Sequence, residues 1–548
     1  MSDKAMLKQA FILTAGNIIS RFLGLIYIFP FAWLVGQEGQ ALFSYAYVPY
    51  AIFIDLATLG IPLGVAKFIS IYNAQNDYVT SYNIFKRSTI FMLIIGIMMF
   101  LMMFLLAKPI AYQVLGGESE ITNNVKDVTN VIRIIASALI VVPSIALLRG
   151  FFQGFKLPKS MALSQVVEQI TRVLFIIVSS FFVIKVFNLD YTIAVYFAVS
   201  AATIASIAAY VLLRVHLHKF FKRLKGLLKT SVTSHNKTTK ELFKELLRYA
   251  IPIALFGLVT SLYLFIDTLT FNKAYLLRGE VNPEIIYGTY AFEINKLIMI
   301  PVSLGMGLGV SMLVYISESY TKGYYKIVNK QILKAIQICT FIILPIVALM
   351  MIFKDSLYSF FYSSENIYGP SILLAYAPLA LIIGFNHITC SVMQAINKQN
   401  YLLITMLLGV SLKYLYNEPL IQSLGYNGAI LGTFIGLMVT IIANFLIMEY
   451  TIRFKHLYMI RRLLIIFGVN LVVSGILVIF NFVIFEININ LASRFQCLLF
   501  LSINGIIYVI LYVCVSYIIG LFDVVFGKEF KLKKLLLVIK NKYVTNQY

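Results

Sequence analysis

The sequence predicts an all-α polytopic membrane protein: 14 transmembrane helices, arranged as two parallel six-helix repeats plus two extra C-terminal helices. Three observations predict it. Of 548 residues, 60% are hydrophobic and only 12% are charged, against roughly 25% charged in a soluble protein. Long uncharged runs recur from end to end, each able to cross an apolar core of about 30 Å. Lysine and arginine, finally, crowd into alternate connections.

The spans are expected at 9–35, 41–72, 88–107, 127–152, 160–184, 191–213, 249–272, 285–317, 335–353, 368–395, 399–417, 425–449, 463–485 and 495–522. The first apolar run is too long for a cleavable leader and reads as a permanent span. With the N-terminus inside, cytoplasmic segments hold 31 of the 45 Lys and Arg and external ones hold seven. That asymmetry orients membrane proteins inside-positive, which puts both termini in the cytoplasm. The formal net charge of +22 is thus an orientation signal, with anionic lipid as a secondary partner. Nucleic acid is not expected as a partner. Cys339, Cys390, Cys497 and Cys514 lie within apolar segments and suit neither a disulfide framework nor a metal site.

The basic segment 214–248 separates the spans into six before and eight after. The expected organisation is an N-terminal six-helix lobe (1–213), a basic cytoplasmic linker (214–248), a C-terminal six-helix lobe (249–450), helices 13 and 14 (451–522) and a basic cytoplasmic tail (523–548). Internal similarity supports the repeat. Gln153-Gly154-Phe155-Lys156 corresponds to Gln394-Ala395-Ile396-Asn397-Lys398, and Arg172 falls on Lys413, at a shift of 241 residues. Tyr45-Ala46-Tyr47 and Gly64-Val65 correspond to Tyr290-Ala291-Phe292 and Gly309-Val310 at a shift of 245. Binding sites in repeats of this kind lie between the units near mid-bilayer. Gly60 with Gly64, Gly305 with Gly309, and Gly428, Gly432 and Gly436 are candidates for close helix packing. Pro62, Pro252, Pro301, Pro345 and Pro378 are candidate breaks.

Charges within the spans carry the functional signal, since an ionised group at the bilayer centre costs at least about 2.5–3.5 kcal/mol and needs a cavity or a partner. Lys67 and Arg133 lie near span ends, where they can snorkel. By helical rise, Arg21 and Arg172 sit about 20 Å above the cytoplasmic ends and Asp55 about 18 Å. Arg149 and Glu168 sit lower, at about 10 and 13 Å. Lys413 and Asp267 fall in the outer half. The implied feature is a wet, mainly cationic cavity with Arg21, Arg149, Arg172 and Lys296 as substrate-binding groups. Asp55, Glu168, Asp267, Glu293 and Lys413 are its charge partners or gating groups. Two local pairings compete with that reading: Glu168 with Arg172 at i,i+4, and Asp267 with Lys413 between helices. His387, alone on an apolar span, reads as a hydrogen-bonded core residue. A cationic cavity suits phosphate, which arginine binds with two parallel hydrogen bonds.

These residues resemble a known family. Fourteen spans as six, six and two, with Ser20-Arg21-Phe22-Leu23-Gly24 in the first and Lys296-Leu297-Ile298-Met299-Ile300-Pro301 in the eighth, are similar to MurJ-type lipid II flippases of the multidrug/oligosaccharidyl-lipid/polysaccharide exporter superfamily. The family's Ser-Arg-x-Leu-Gly arginine lines its cavity, and Lys296 stands where better-known members have an essential arginine. Tyr27, Phe53 and Ile54 stand where those members carry further arginines. The chain therefore looks more like the Gram-positive polysaccharide-biosynthesis and sporulation branch. The resemblance implies a flippase, not an enzyme, that moves a polyprenyl-diphosphate-linked oligosaccharide (lipid II) across the bacterial cytoplasmic membrane by alternating access, as a monomer. It also implies a lipid-tail groove beside helices 13 and 14. No cofactor is expected; coupling to the membrane potential or a monovalent cation is the expected energy source, because Gly154 to Ser160 lacks the second glycine of a phosphate-cradling loop. A flippase for another lipid-linked glycan is the first alternative. A cation-coupled multidrug exporter would want an unpaired acidic cavity, and a membrane glycosyltransferase would want acids in substantial external loops. The sequence offers neither.

Overall fold

The computed structural model describes residues 23–526 apart from 25, 59, 118–121, 233–237, 280–281, 363, 455, 485–490 and 492. All regular structure among them is helical. The first elements are α1 (Ile28–Thr58), α2 (Ile61–Ala74), α3 (Tyr78–Leu115), α4 (Val125–Ala136), α5 (Val142–Gly154), α6 (Pro158–Phe181) and α7 (Tyr191–Lys229). Then come α8 (Thr239–Leu277), α9 (Pro283–Gly288), a π-helical turn (Thr289–Ile294), α10 (Asn295–Thr321) and α11 (Tyr325–Ile352). The rest are α12 (Lys354–Phe361), α13 (Tyr368–Tyr376), α14 (Leu379–Ala395), α15 (Gln399–Leu424), α16 (Tyr426–Ile452), α17 (His456–Ile484), α18 (Arg494–Ile518) and α19 (Leu521–Phe526).

Eleven helical stretches among the described residues are long and apolar enough to cross a bilayer. Most of the expected first span lies outside the described residues. The seventh and eleventh expected spans coincide with α8 and α15, which are not among the eleven. Both helices carry buried polar groups: Asp267, Thr268 and Asn272 on one, Lys413 and Asn417 on the other.

Local chemistry sets the helix ends. Gly60 adopts φ 63°, a left-handed conformation open to glycine at little cost, and Pro62 then occupies the first turn of α2. The break expected at Pro62 therefore begins two residues earlier. Asp77 caps α3 by accepting from the Thr80 amide at 3.0 Å. Thr238 and Glu241 form a reciprocal capping box at the start of α8.

Part of the sequence repeat recurs in the backbone. After α5 the chain turns at Lys156 with φ 56°, and after α14 at Asn397 with φ 57°. α6 then begins at Pro158 and α15 at Gln399, again 241 residues apart. Small residues set the close approaches. A Cβ on Gly305 would lie 2.7 Å from the Gly384 backbone, so α10 and α14 meet with nothing between them.

The helices form two compact units: residues up to 296 with 410–433, and residues 297–409 with those from 434 onward. In the first, α2, α3, α5, α7 and α8 enclose an apolar cluster that includes Phe68, Phe85, Phe151, Leu213 and Leu246. In the second, α17 and α18 are pinned by a polar ladder. Tyr508 donates to Asn470 Oδ1 at 2.7 Å, and Asn481 donates to Asn504 Oδ1 at 2.8 Å. Their other faces leave Leu471, Ile479, Phe482, Ile506 and Ile510 exposed, as lipid-facing residues should be. His387 is buried, but its Nε2 has no hydrogen-bond partner among the described residues. The expected core position holds; the expected bond at that nitrogen does not.

Candidate functional site

Ser164, Glu168 and Arg172 recur every four residues on α6 and so share one face. Arg149 on α5 reaches that stripe. Its Nη2 donates to Glu168 Oε2 at 2.7 Å and its Nε to Ser164 Oγ at 2.9 Å. The other Glu168 oxygen, Oε1, accepts from Arg172 Nη2 at 2.8 Å. One carboxylate thus bridges two guanidiniums, leaving an excess positive charge. Arg172 Nη1 also donates to Tyr47 OH at 3.1 Å, which ties the stripe to α1. Against the Tyr47 ring, Lys296 Nζ lies 5.7 Å from the centroid, a cation–π distance. Lys296 makes no ion pair with a carboxylate among the described residues. The Arg149, Glu168 and Arg172 side chains keep 14–19% of their surface. Arg172 Nε is buried without a partner among the described residues, an unused donor in the middle of the cluster.

The expected groups divide among four places. Arg149, Glu168, Arg172 and Lys296 gather around Tyr47. Arg21 lies outside the described residues. Asp55 stands apart and accepts from Ser261 Oγ of α8 at 2.6 Å. Glu293 is buried in the π-helical turn just before Lys296, and such turns favour functional positions because they re-aim side chains.

Asp267 and Lys413 form a separate centre. Lys413 Nζ donates to Asp267 Oδ1 at 2.7 Å, to Thr433 Oγ1, and to the Ala429 carbonyl at 3.4 Å. Asn417 donates to the same Asp267 oxygen at 3.0 Å, while Tyr290 donates to Oδ2 at 2.8 Å. The pair is sealed: Lys413 is 0% exposed and Asp267 2%. The ammonium sits among a carboxylate, a hydroxyl and a backbone carbonyl, a set of oxygens that would suit a small cation equally well. Among the described residues, no group of histidine, cysteine and acidic side chains could hold a metal ion.

Sequence reasoning missed a fifth feature. Glu284, 1% exposed at the start of α9, accepts from the Asn123 amide at 2.9 Å and from its side chain at 3.0 Å. Asn123 also donates to the Glu38 carbonyl at 3.1 Å. Beside it, Tyr45 stacks on Tyr287 at 4.9 Å, Asn272 donates to Tyr45 OH, and Phe31, Phe43 and Phe292 pack together. The α1 segment before Tyr45 is thereby sewn to α8 and α9. A buried acid after a proline was the available signal, but its partner lies 161 residues away in the chain.

Comparison with known proteins decides the family. Residues 6–306 match the family described as polysaccharide biosynthesis protein, and residues 252–417 match the family described as MatE. The lipid II flippase MurJ of Bacillus subtilis (strain 168) is 37% identical over 466 residues, covering 84% of this chain and 86% of that one. The chain belongs to the MurJ family. Stage V sporulation protein B of the same organism is 23% identical, over 80% and 82% of the two chains. Among solved structures, a lipid II flippase MurJ in an inward closed conformation aligns with a TM-score of 0.63 at 14% identity, covering 93% of this chain and 98% of that one. An inward-facing multidrug resistance MATE family transporter aligns with a TM-score of 0.61 at 16% identity, covering 80% and 94%. This MurJ-family chain is therefore a multi-pass membrane transporter of the MOP superfamily fold, without an enzyme among the relatives named here.

Proposed function

We propose that this chain moves lipid II, the lipid-linked peptidoglycan precursor, from the inner to the outer leaflet of the cytoplasmic membrane by alternating access. One observation carries the reading: Arg149 and Arg172 share a single carboxylate, Glu168, and Lys296 adds a further cation against Tyr47, which Arg172 also touches. Glu168 acts as a resident counter-ion. An arriving diphosphate takes both guanidiniums from it, since phosphate offers each a two-bond, charge-assisted contact. When the head group leaves, Glu168 re-closes the pairs, so capture stays reversible. The sequence adds Arg21, which lies outside the described residues, as a further cation for the diphosphate.

The proposed frame is fourteen helices in two six-helix lobes, with both termini cytoplasmic. It rests on the inside-positive charge pattern and on the backbone turns that recur 241 residues apart. In that orientation the Asn123–Glu284 contact and the aromatic packing around it lie toward the outer ends of their helices. The exposed apolar faces of α17 and α18 suit the polyprenyl tail. Lys413 fills the place of a coupling cation with its own ammonium, so the inside-negative potential acts on the substrate's charge, at about 2.3 kcal/mol per charge per 100 mV.

The test is depletion of a cell's resident lipid II flippase with this gene supplied. Survival, with lipid II detected in the outer leaflet, is expected. Growth arrest despite good expression rejects lipid II as the cargo. The MatE match keeps a cation-coupled drug exporter as the second reading, and drug efflux from the same cells without rescue of growth would favour it.

A further inference from the structure

Away from the charged cluster, α3, α5 and α7 line a half-open hollow of about 530 Å³. Lys86, Arg214 and His218 reach it from two helices, and Thr89 and Ser144 add hydroxyls. Phe85, Leu147 and Phe221 are among its apolar walls. A second hollow, of about 470 Å³, shares Arg214 and His218 and adds Lys219. Neither hollow is lined by an acidic residue. None of the three basic groups has a carboxylate partner among the described residues; Arg214 only stacks over Tyr210, at 5.6 Å. The arrangement offers two cationic side chains and an imidazole around a half-open hollow, with no acidic residue of the described part of the chain lining it.

From the basic rim an apolar strip runs toward the span centres. Ile90 and Ile94 on α3 are 56% and 59% exposed, and Ile207 and Val211 on α7 are 48% and 55% exposed. Each helix thus presents its basic residue at one end and lipid-facing aliphatic side chains one or two turns further on. A free anion would use only the rim. A phospholipid would use both, placing its phosphodiester in the cavity and its acyl chains along the strip.

We propose that this cavity binds an anionic phospholipid of the cytoplasmic leaflet, its phosphodiester held between Lys86, Arg214 and His218. The choice of leaflet rests on the inside-positive orientation proposed above; the binding chemistry does not. Basic pockets between spans on that side are where anionic head groups collect. The consequence lies on α5. Ser144, Leu147 and Leu148 line the cavity, and the next residue is Arg149. A lipid seated here braces the helix that presents one of the two guanidiniums bridged by Glu168.

The experiment is native mass spectrometry of the purified full-length chain in detergent, with phosphatidylglycerol or phosphatidylcholine added. The wild type is expected to retain phosphatidylglycerol at least about fivefold better than phosphatidylcholine, the factor that a single basic side chain near an anionic lipid supplies. Lys86→Gln with Arg214→Gln should bring the two lipids level. Lys86→Arg with Arg214→Lys should keep the preference, which separates lost charge from lost folding. Equal preference in the wild type, or undiminished preference in the glutamine variant, overturns the proposal. Complete displacement of the lipid by 10 mM inorganic phosphate, on the order of intracellular anion concentrations, also overturns it by revealing a simple anion site. Lipid II transport is not measured, so failure here leaves the transport reading standing.

Discussion

Two charged centres in this chain use ion pairs to opposite ends. Around Glu168, two guanidiniums share one anion, Lys296 stands nearby against Tyr47, and Arg149, Glu168 and Arg172 keep 14–19% of their surface. Around Asp267, one cation meets one anion, 0–2% of the surface remains, and Tyr290, Asn417 and Thr433 fill the remaining hydrogen bonds. Stoichiometry and access make the difference. A balanced, sealed pair has already spent its electrostatics on itself, whereas an unbalanced, less buried cluster has charge left for an anion. The first centre is the proposed place for cargo, and the second ties α8, α15 and α16 together.

That contrast can be broken at either end. The largest effect is expected at the unbalanced centre. Arg172→Ala removes the guanidinium that joins Glu168 to Tyr47, and outer-leaflet delivery of lipid II should fall at least about a hundredfold, in line with two lost charge-assisted contacts. The protein should still melt within a few degrees of the wild type, and unaltered delivery would remove Arg172 from the site. At the balanced centre the effect should be on stability. Lys413→Met leaves a buried carboxylate unpaired and should cost about 3–5 kcal/mol. Adding Asp267→Asn should recover most of it, because two neutral groups no longer need each other. Unfolding in detergent reads both variants.

Smaller changes sharpen the comparison. Glu168→Gln frees two guanidiniums; a polyprenyl diphosphate should bind about tenfold tighter, the worth of one charged hydrogen bond, while turnover slows. Weaker binding would instead make Glu168 a scaffold for the arginines. In Lys413→Ala the oxygens of Asp267, Thr433 and Ala429 lose their ammonium, and sodium chloride should raise the melting temperature more than choline chloride does. The wild type should respond equally to the two salts. The smallest effect is expected at Asp55→Asn, which keeps the Ser261 hydrogen bond and should cost no more than about 1 kcal/mol.

Much of this was legible in the sequence. An ionised side chain in an apolar run is conspicuous on composition alone, so Arg149, Glu168, Arg172, Asp267, Lys296 and Lys413 could all be named before any coordinates. The i,i+4 pairing of Glu168 with Arg172 followed from helical periodicity. The second arm of that bridge, Arg149, did not, because it depends on how α5 leans on α6. Glu284 with Asn123 stayed hidden for the same reason: neither residue is unusual until the loop before α4 meets the start of α9.

The chain by itself determined the solvent it faces, the number of apolar runs and which charges are stranded among them, because hydrophobicity and helical rise are local properties of consecutive residues. Only the tertiary structure decided which stranded charges are matched and which remain open. Coulomb energy and desolvation depend on distances of a few ångströms between residues that lie as far apart in the chain as Asp267 and Lys413.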